Sequence, residues 1–145
     1  MFTGPCINEQ IGHQRWRVHE GFSFRSSTGL VVTVEKGFEH DFASIPAIVR
    51  GLISKVGYYS QAAICHDLLY YRHRTGLDTV ITRLQADNIL LEGCRVKAVD
   101  FSVPDSERRD WLIYGGVRIG GRDSWLSDKE RAEIQSGMLP DYYDQ

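Results

Sequence analysis

Apolar positions crowd together between Ser60 and Tyr70, where Ala62, Ala63, Ile64, Leu68 and Leu69 occur with no Gly or Pro to interrupt them. That density predicts a buried helix from about Tyr58 to Arg74, ended by the Gly-containing turn Thr75-Gly76-Leu77-Asp78. Upstream the pattern has period two. Residues 14–20 and Phe22-Ser23-Phe24-Arg25 alternate polar with apolar, and Ser26-Ser27-Thr28-Gly29 turns the chain into Leu30-Val31-Val32-Thr33-Val34. An antiparallel meander over about 14–36 follows. Ser44 and Pro46 fit the cap and first turn of a helix through Ile53. A further helix over 78–93, capped by Asp78 or Thr79, turns Val80, Leu84 and Leu91 inward together with Asp87. Pro104 to Tyr114 starts another that dissolves into a loose Gly115–Gly121 segment, and Ser127-Asp128-Lys129-Glu130 is a capping box for a short polar helix stopping near Gly137. The expected class is α+β: an N-terminal antiparallel β-meander followed by a helical body of three to four helices.

The 145 residues suit one domain, 1–145, with the sheet at about 14–36, the helical body at about 44–121, and a capping helix and tail over 122–145. A net charge of −2 offers no general attraction to nucleic acid, and no nucleic-acid partner is expected. Arg15, Arg17 and Arg25 near Trp16 are the one local basic and aromatic face. Cys6, Cys65 and Cys94 match no zinc spacing and no disulfide framework, which points to a reducing compartment. No transmembrane run or cleavable signal pattern stands out, so the chain is expected to be made in a cytoplasm. The aromatic tail Pro140–Gln145 reads as a docking strap, and Trp16, Trp111 and Trp125 as core anchors.

The chemistry lies in the apolar helix, because an imidazole beside a carboxylate there loses hydration unless a partner compensates. Residues three or four apart share a helix face, so His66, Tyr70 and His73 form one stripe and Asp67, Tyr71 and Arg74 the next. Asp87 sits on an apolar face of the following helix; packed antiparallel across Gly76, it can meet His66 and fix the imidazole tautomer. Asp41, flanked by Phe38, Phe42 and Ile45, is expected to be carried toward the core. Cys65 and Cys94 read as small core residues, His13 and His19 as exposed sheet histidines, and His73 as a solvated partner of the helix end.

Phe38-x-x-Asp41-Phe42-Ala43-Ser44-Ile45-Pro46, then Tyr59-x-x-Ala62-Ala63-Ile64-x-His66-Asp67-x-Leu69-Tyr70, Ala86-Asp87 and Gly115-Gly116-Val117-Arg118-x-Gly120-Gly121 occur in that order. Together they resemble a phage and prophage family labelled domain of unknown function 1353, over roughly Phe38 to Gly121. The resemblance implies a phage gene, a place in the virion or tail, and other virion or tail proteins as partners. Locally, His66-Asp67-x-x-Tyr70 with a later Asp87 is similar to the core of phospholipases A2. That similarity implies His66 as general base, Asp67 as a calcium ligand and Asp87 as the orienting carboxylate held by Tyr70. Asp41 would add metal oxygens, with zinc behind calcium as the ion and host membrane lipid as substrate. Two other readings stay open: a structural virion or tail adaptor with a buried polar network, and an HD-type phosphohydrolase built on His40, His66-Asp67 and Asp87.

Overall fold

The computed structural model describes residues 1–56 and 59–141. The helix start expected at Tyr58 and the last residues of the tail, 142–145, lie outside them. Six short strands come first: β1 (Phe2–Thr3), β2 (Asn8–Gly12), β3 (Arg15–Val18), β4 (Phe22–Arg25), β5 (Val31–Val34) and β6 (Glu39–His40). They form two antiparallel three-stranded sheets, ordered β1-β4-β5 and β2-β3-β6. The expected meander from residue 14 is therefore split and starts earlier. β3 does not pair with β4, because His19, Glu20 and Gly21 separate them and each strand finds a nonlocal neighbour.

In the first sheet Phe22, Phe24, Val32 and Val34 are buried, while Ser23 and Thr33 oppose each other on the outer face with hydroxyls 3.1 Å apart. In the second, Glu39 of β6 lies across from Arg17 and forms ion pairs with Arg15 at 2.7 Å and Arg17 at 2.8 Å. The single Glu39 charge offsets part of the expected basic face, and at this exposure the pairs fix register more than they add stability.

Helices follow: α1 (Ala47–Val56), α2 (Ser60–Arg74), α3 (Arg83–Asp100), α4 (Ser106–Gly120), α5 (Arg122–Trp125) and α6 (Asp128–Gln135). Every residue of α2 from Gln61 to Tyr70 is buried, so this helix is the axis about which the other elements pack. Its neighbours are α3, α5, α1 and the strands β5 and β6. α3 starts later than expected because Thr82 and Gln85 form a reciprocal capping box, while Asp78 caps only a turn by accepting from the Val80 N–H. The inner face rotates accordingly. Val80 is 87% exposed and Leu84 43%, and Ala86, Ile89, Leu90 and Cys94 take their places around Asp87. The capping box of Ser127 and Glu130 opens α6 as expected.

α4 runs through Gly115 and Gly116 instead of dissolving there, because its neighbour comes too close for a side chain. A Cβ built on Gly116 would lie 2.2 Å from Val49 Cγ2 of α1. Gly116→Ala is expected to cost about 1–3 kcal/mol through overpacking. Urea unfolding checks this, and in the Val49→Ala background the loss should shrink; an equal loss in both would refute the packing explanation. Of the three tryptophans, Trp125 is buried, Trp16 is half-buried and Trp111 is exposed, so Trp111 is no core anchor. Cys6, Cys65 and Cys94 are free thiols. No described helix is long and apolar enough to cross a membrane.

Candidate functional site

Three helices converge on a single carboxylate. Asp87 of α3 has its Oδ1 at 2.7 Å from His66 Nε2 and at 2.7 Å from the Tyr70 hydroxyl, both of α2. Its Oδ2 accepts from Arg118 Nη1 of α4 at 2.8 Å, with Arg83 Nη1 at 4.0 Å. Arg83 in turn donates to the carbonyls of Val117 and Arg118, tying the start of α3 to the end of α4. Asp87 and His66 are both 0% exposed. Burial by itself would raise the Asp87 pKa, but hydrogen bonds from His66, Tyr70 and Arg118 outweigh it and hold the carboxyl below its ordinary range. Burial and the Asp87 charge push the Tyr70 phenol upward, so it stays a hydrogen-bond donor. The Tyr70 ring also packs on His66, centroids 4.1 Å apart, and a Cβ on Gly121 would meet the Tyr70 hydroxyl oxygen at 2.8 Å. Glycine there leaves room for that hydroxyl.

The tautomer follows from the partners. An ionised carboxylate only accepts, so Nε2 carries the hydrogen toward Asp87 and leaves Nδ1 of a neutral ring as an acceptor. Nδ1 lies 3.0 Å from Ser44 Oγ. Ser44 was expected to cap α1. Its side chain instead turns into the site, where it also donates to Asp67 Oδ1.

Asp67, one residue on from His66, points about 100° away around the helix. There it accepts from the backbone N–H of Phe42 at 2.8 Å and of Ser44 at 3.3 Å, besides the Ser44 hydroxyl. Burial nevertheless raises its pKa, with the Ser44 hydrogen bond opposing. Phe42 achieves this with φ at +58°, a strained conformation for an aromatic residue. The same reversal turns Asp41 outward. It is exposed and accepts from the Ala43 N–H at 2.8 Å, a turn role rather than the inward one expected of it.

A small hollow of about 50 Å³ opens beside this cluster, lined by Ser44, Asp67, Tyr70, His40, Asp41 and Arg74. It has room for water. His66 and Asp87 do not line it; the imidazole reaches it through Ser44. Calcium wants six to eight oxygens, whereas the loop facing Asp67 presents N–H donors and a hydroxyl that already use the carboxylate. Among the described residues no three His, Cys, Asp or Glu side chains are grouped to hold a metal. This donor set does not fit the ion.

His40 is buried with neither ring nitrogen hydrogen-bonded, packed against Phe42 at 4.6 Å between centroids. Burial pushes its pKa down from 6.5 to about 4, partly opposed by the charge of Asp41. Between those values the unfolded chain binds a proton that the folded chain refuses, so stability falls as pH drops, by about 3 kcal/mol in full. Asp67, whose pKa is raised, acts in the opposite sense over its own range. Urea unfolding at pH 7 and pH 4.5 should therefore show a smaller acid loss for His40→Leu than for the wild type. Equal losses would mean that His40 is not the group responsible.

His73 is not solvated: it stacks on Trp125 with centroids 3.9 Å apart and lies 3.1 Å from Glu130. Sequence reasoning left Arg118, Arg83 and Ser44 without a site role. Arg118 stands between glycine pairs, and a cation kept between them is the signal that a reading of this segment as a loose end passes over.

Residues 16–117 match the family described as protein of unknown function (DUF1353). The chain belongs to that family. No curated protein and no solved structure matches it. The DUF1353 match contains Asp41, Ser44, His66, Asp67, Tyr70 and Asp87, and it ends one residue before Arg118.

Proposed function

We propose that this DUF1353 protein is an ester hydrolase of phage or prophage origin, in which Asp87 orients His66 as general base and Tyr70 positions Asp87. The observation that carries the reading is the unbroken chain from Asp87 Oδ1 through His66 Nε2 and Nδ1 to Ser44 Oγ, at 2.7 and 3.0 Å. Its Ser44 end lines the hollow, where a carbonyl group can approach. A proton passes to His66 Nδ1 from the Ser44 hydroxyl, or from a water in the hollow with that hydroxyl as the relay, as the attacking oxygen bonds to the ester carbon. The bond to the leaving alcohol then breaks, and that alkoxide takes the proton from His66. Attack by water releases the acid at once; attack by Ser44 leaves an acyl-serine, which a second water hydrolyses with the same base. Ser44 has one hydroxyl proton and two acceptors, so Asp67 competes with His66 for it. Protonation of Asp67, which burial favours, frees the proton for His66.

The sequence resemblance to phage proteins supports assembly with other virion or tail proteins after synthesis in the host cytoplasm, and an ester of the host envelope or membrane lipid as substrate. One observation favours a second reading. Asp67 is fully hydrogen-bonded and His66 wholly buried, as in a polar network that pins α2, α3 and α4 to the loop over 41–46. The HD-type arrangement gains no such support, because His40 bonds to none of the others.

Acyl release from phospholipid vesicles and from a small soluble ester, by purified protein with calcium, zinc or chelator, separates these readings. Release in chelator is expected. Release only with calcium would reinstate Asp67 as a metal ligand, and no release under any condition would leave the structural network.

A further inference from the structure

A cleft of about 620 Å³ beside the candidate site lies between the β2–β3 hairpin and α1. That is the size of a small-molecule site, and it has room for more than one sugar ring. One row of the second sheet leads from it to the hollow, since Gln10 pairs with Trp16 and Trp16 with His40, placing the three side chains on one face. Gln10 and Trp16 line the cleft, His40 lines the hollow, and Asp41 lines both.

The lining has a definite chemistry. Trp16 is half-buried, with the side-chain amides of Asn8 and Gln10 beside it and Phe42 on the same wall. Asn8 Oδ1 is buried without a hydrogen-bond partner, while its Nδ2 donates to Cys6 Sγ. A buried acceptor left unpaired costs free energy, and a turn of the Asn8 side chain away from its 3.4 Å contact with Cys6 Sγ brings this oxygen to the cleft wall, where a donor from a ligand complements it. The charged groups of the cleft, Asp41 and Arg50, oppose each other in sign, and Arg50 already donates to the Ile45 carbonyl. Neither an anionic headgroup nor a cation is selected by that pair. An acyl tail is mismatched as well, because it would bury the amides of Asn8 and Gln10 without partners.

The geometry points to a neutral, N-acetylated glycan chain as the occupant of this cleft. The apolar face of a pyranose ring packs on the Trp16 ring, an acetamido N–H supplies the missing donor to Asn8 Oδ1, and the acetyl methyl lies against Phe42. As the substrate-binding arm of the His66 site this rests on the hydrolase reading, and it makes the substrate an acyl ester carried on an envelope glycan. As a binding site it stands without that reading.

The test is calorimetric titration of the 145-residue chain with chitotetraose, with cellotetraose as the sugar lacking acetamido groups and phosphatidylglycerol vesicles as the lipid arm. Chitotetraose should bind saturably and cellotetraose at least tenfold more weakly. Trp16→Ala should weaken chitotetraose binding at least tenfold, and Asn8→Ala should do so too while leaving the melting temperature near that of the wild type. His66→Ala should bind chitotetraose as the wild type does, so that loss of hydrolysis and loss of binding are read separately. No binding of chitotetraose by the wild type would overturn the inference. So would equal affinity for the two sugars, binding untouched by both cleft variants, or vesicle binding that Trp16→Ala abolishes.

Discussion

Asp87→Ala is expected to lower the unfolding free energy by about 3–5 kcal/mol. The carboxylate accepts from His66 and Tyr70 on α2 and from Arg118 on α4, and it lies 4.0 Å from the guanidinium of Arg83, one turn before it on its own helix. Its removal takes the partner carboxylate from the Arg118 side chain, 22% exposed, and a neighbouring negative charge from that of Arg83, 4% exposed. It also leaves the Tyr70 hydroxyl and His66 Nε2 facing an empty space. A domain of this size has on the order of 5–15 kcal/mol in total, so the variant approaches the edge of folding and belongs in a cold assay. Asp87→Asn keeps the shape and one acceptor oxygen, so its loss should be smaller. The decisive comparison is a double-mutant cycle with Arg118→Met, read as urea midpoints. A coupling near zero between the two positions, or an Asp87→Ala loss below about 1 kcal/mol, would show that the carboxylate does not hold the helices together.

The parts of this arrangement that repeat along the chain were legible before any fold was known. His66 and Tyr70 are one helical turn apart, and the apolar density around them leaves little alternative to burial, so a carboxylate on the next helix becomes the natural partner. Local capping chemistry was legible at Ser127 and Glu130, and available at Thr82 and Gln85, although Asp78 and Thr79 offered an equally familiar start. What did not show were the features decided by tertiary geometry. Asp41 and Ser44 lie three residues apart in one loop, and which of them faces the core depends on the left-handed conformation of Phe42, which nothing in its residue type announces. The pairing of β3 with β2 and β6 rather than with β4 is likewise nonlocal, and Glu39 with Arg15 and Arg17 locks it from a distance in sequence. Arg118 was hidden for a third reason. The glycines around it read as a loose end, whereas they are the condition for α4 to press on α1 and deliver the guanidinium to Asp87.

His66→Ala should reduce ester turnover by about 10²–10⁴-fold, the range a positioned general base supplies. Among the described residues the imidazole joins the orienting carboxylate to the Ser44 oxygen at the hollow, whereas Asp67, the other acceptor of the Ser44 hydroxyl, has its further bonds to backbone N–H groups. Ser44→Ala then separates the two nucleophiles. If the Ser44 oxygen attacks, its loss should match that of His66→Ala, and the double variant should be no worse than either alone. If water attacks, Ser44→Ala opens space for it next to Nδ1 and leaves much of the rate intact. Tyr70→Phe removes the hydroxyl on Asp87 but leaves the ring on His66, and as a positioning change it should lower kcat by less than the His66 substitution, with KM little altered. Circular dichroism must accompany each assay, because the same atoms hold α2 to α3. A variant that stays folded yet keeps full turnover without His66 would remove the imidazole from the chemistry and leave it solely as a support between helices.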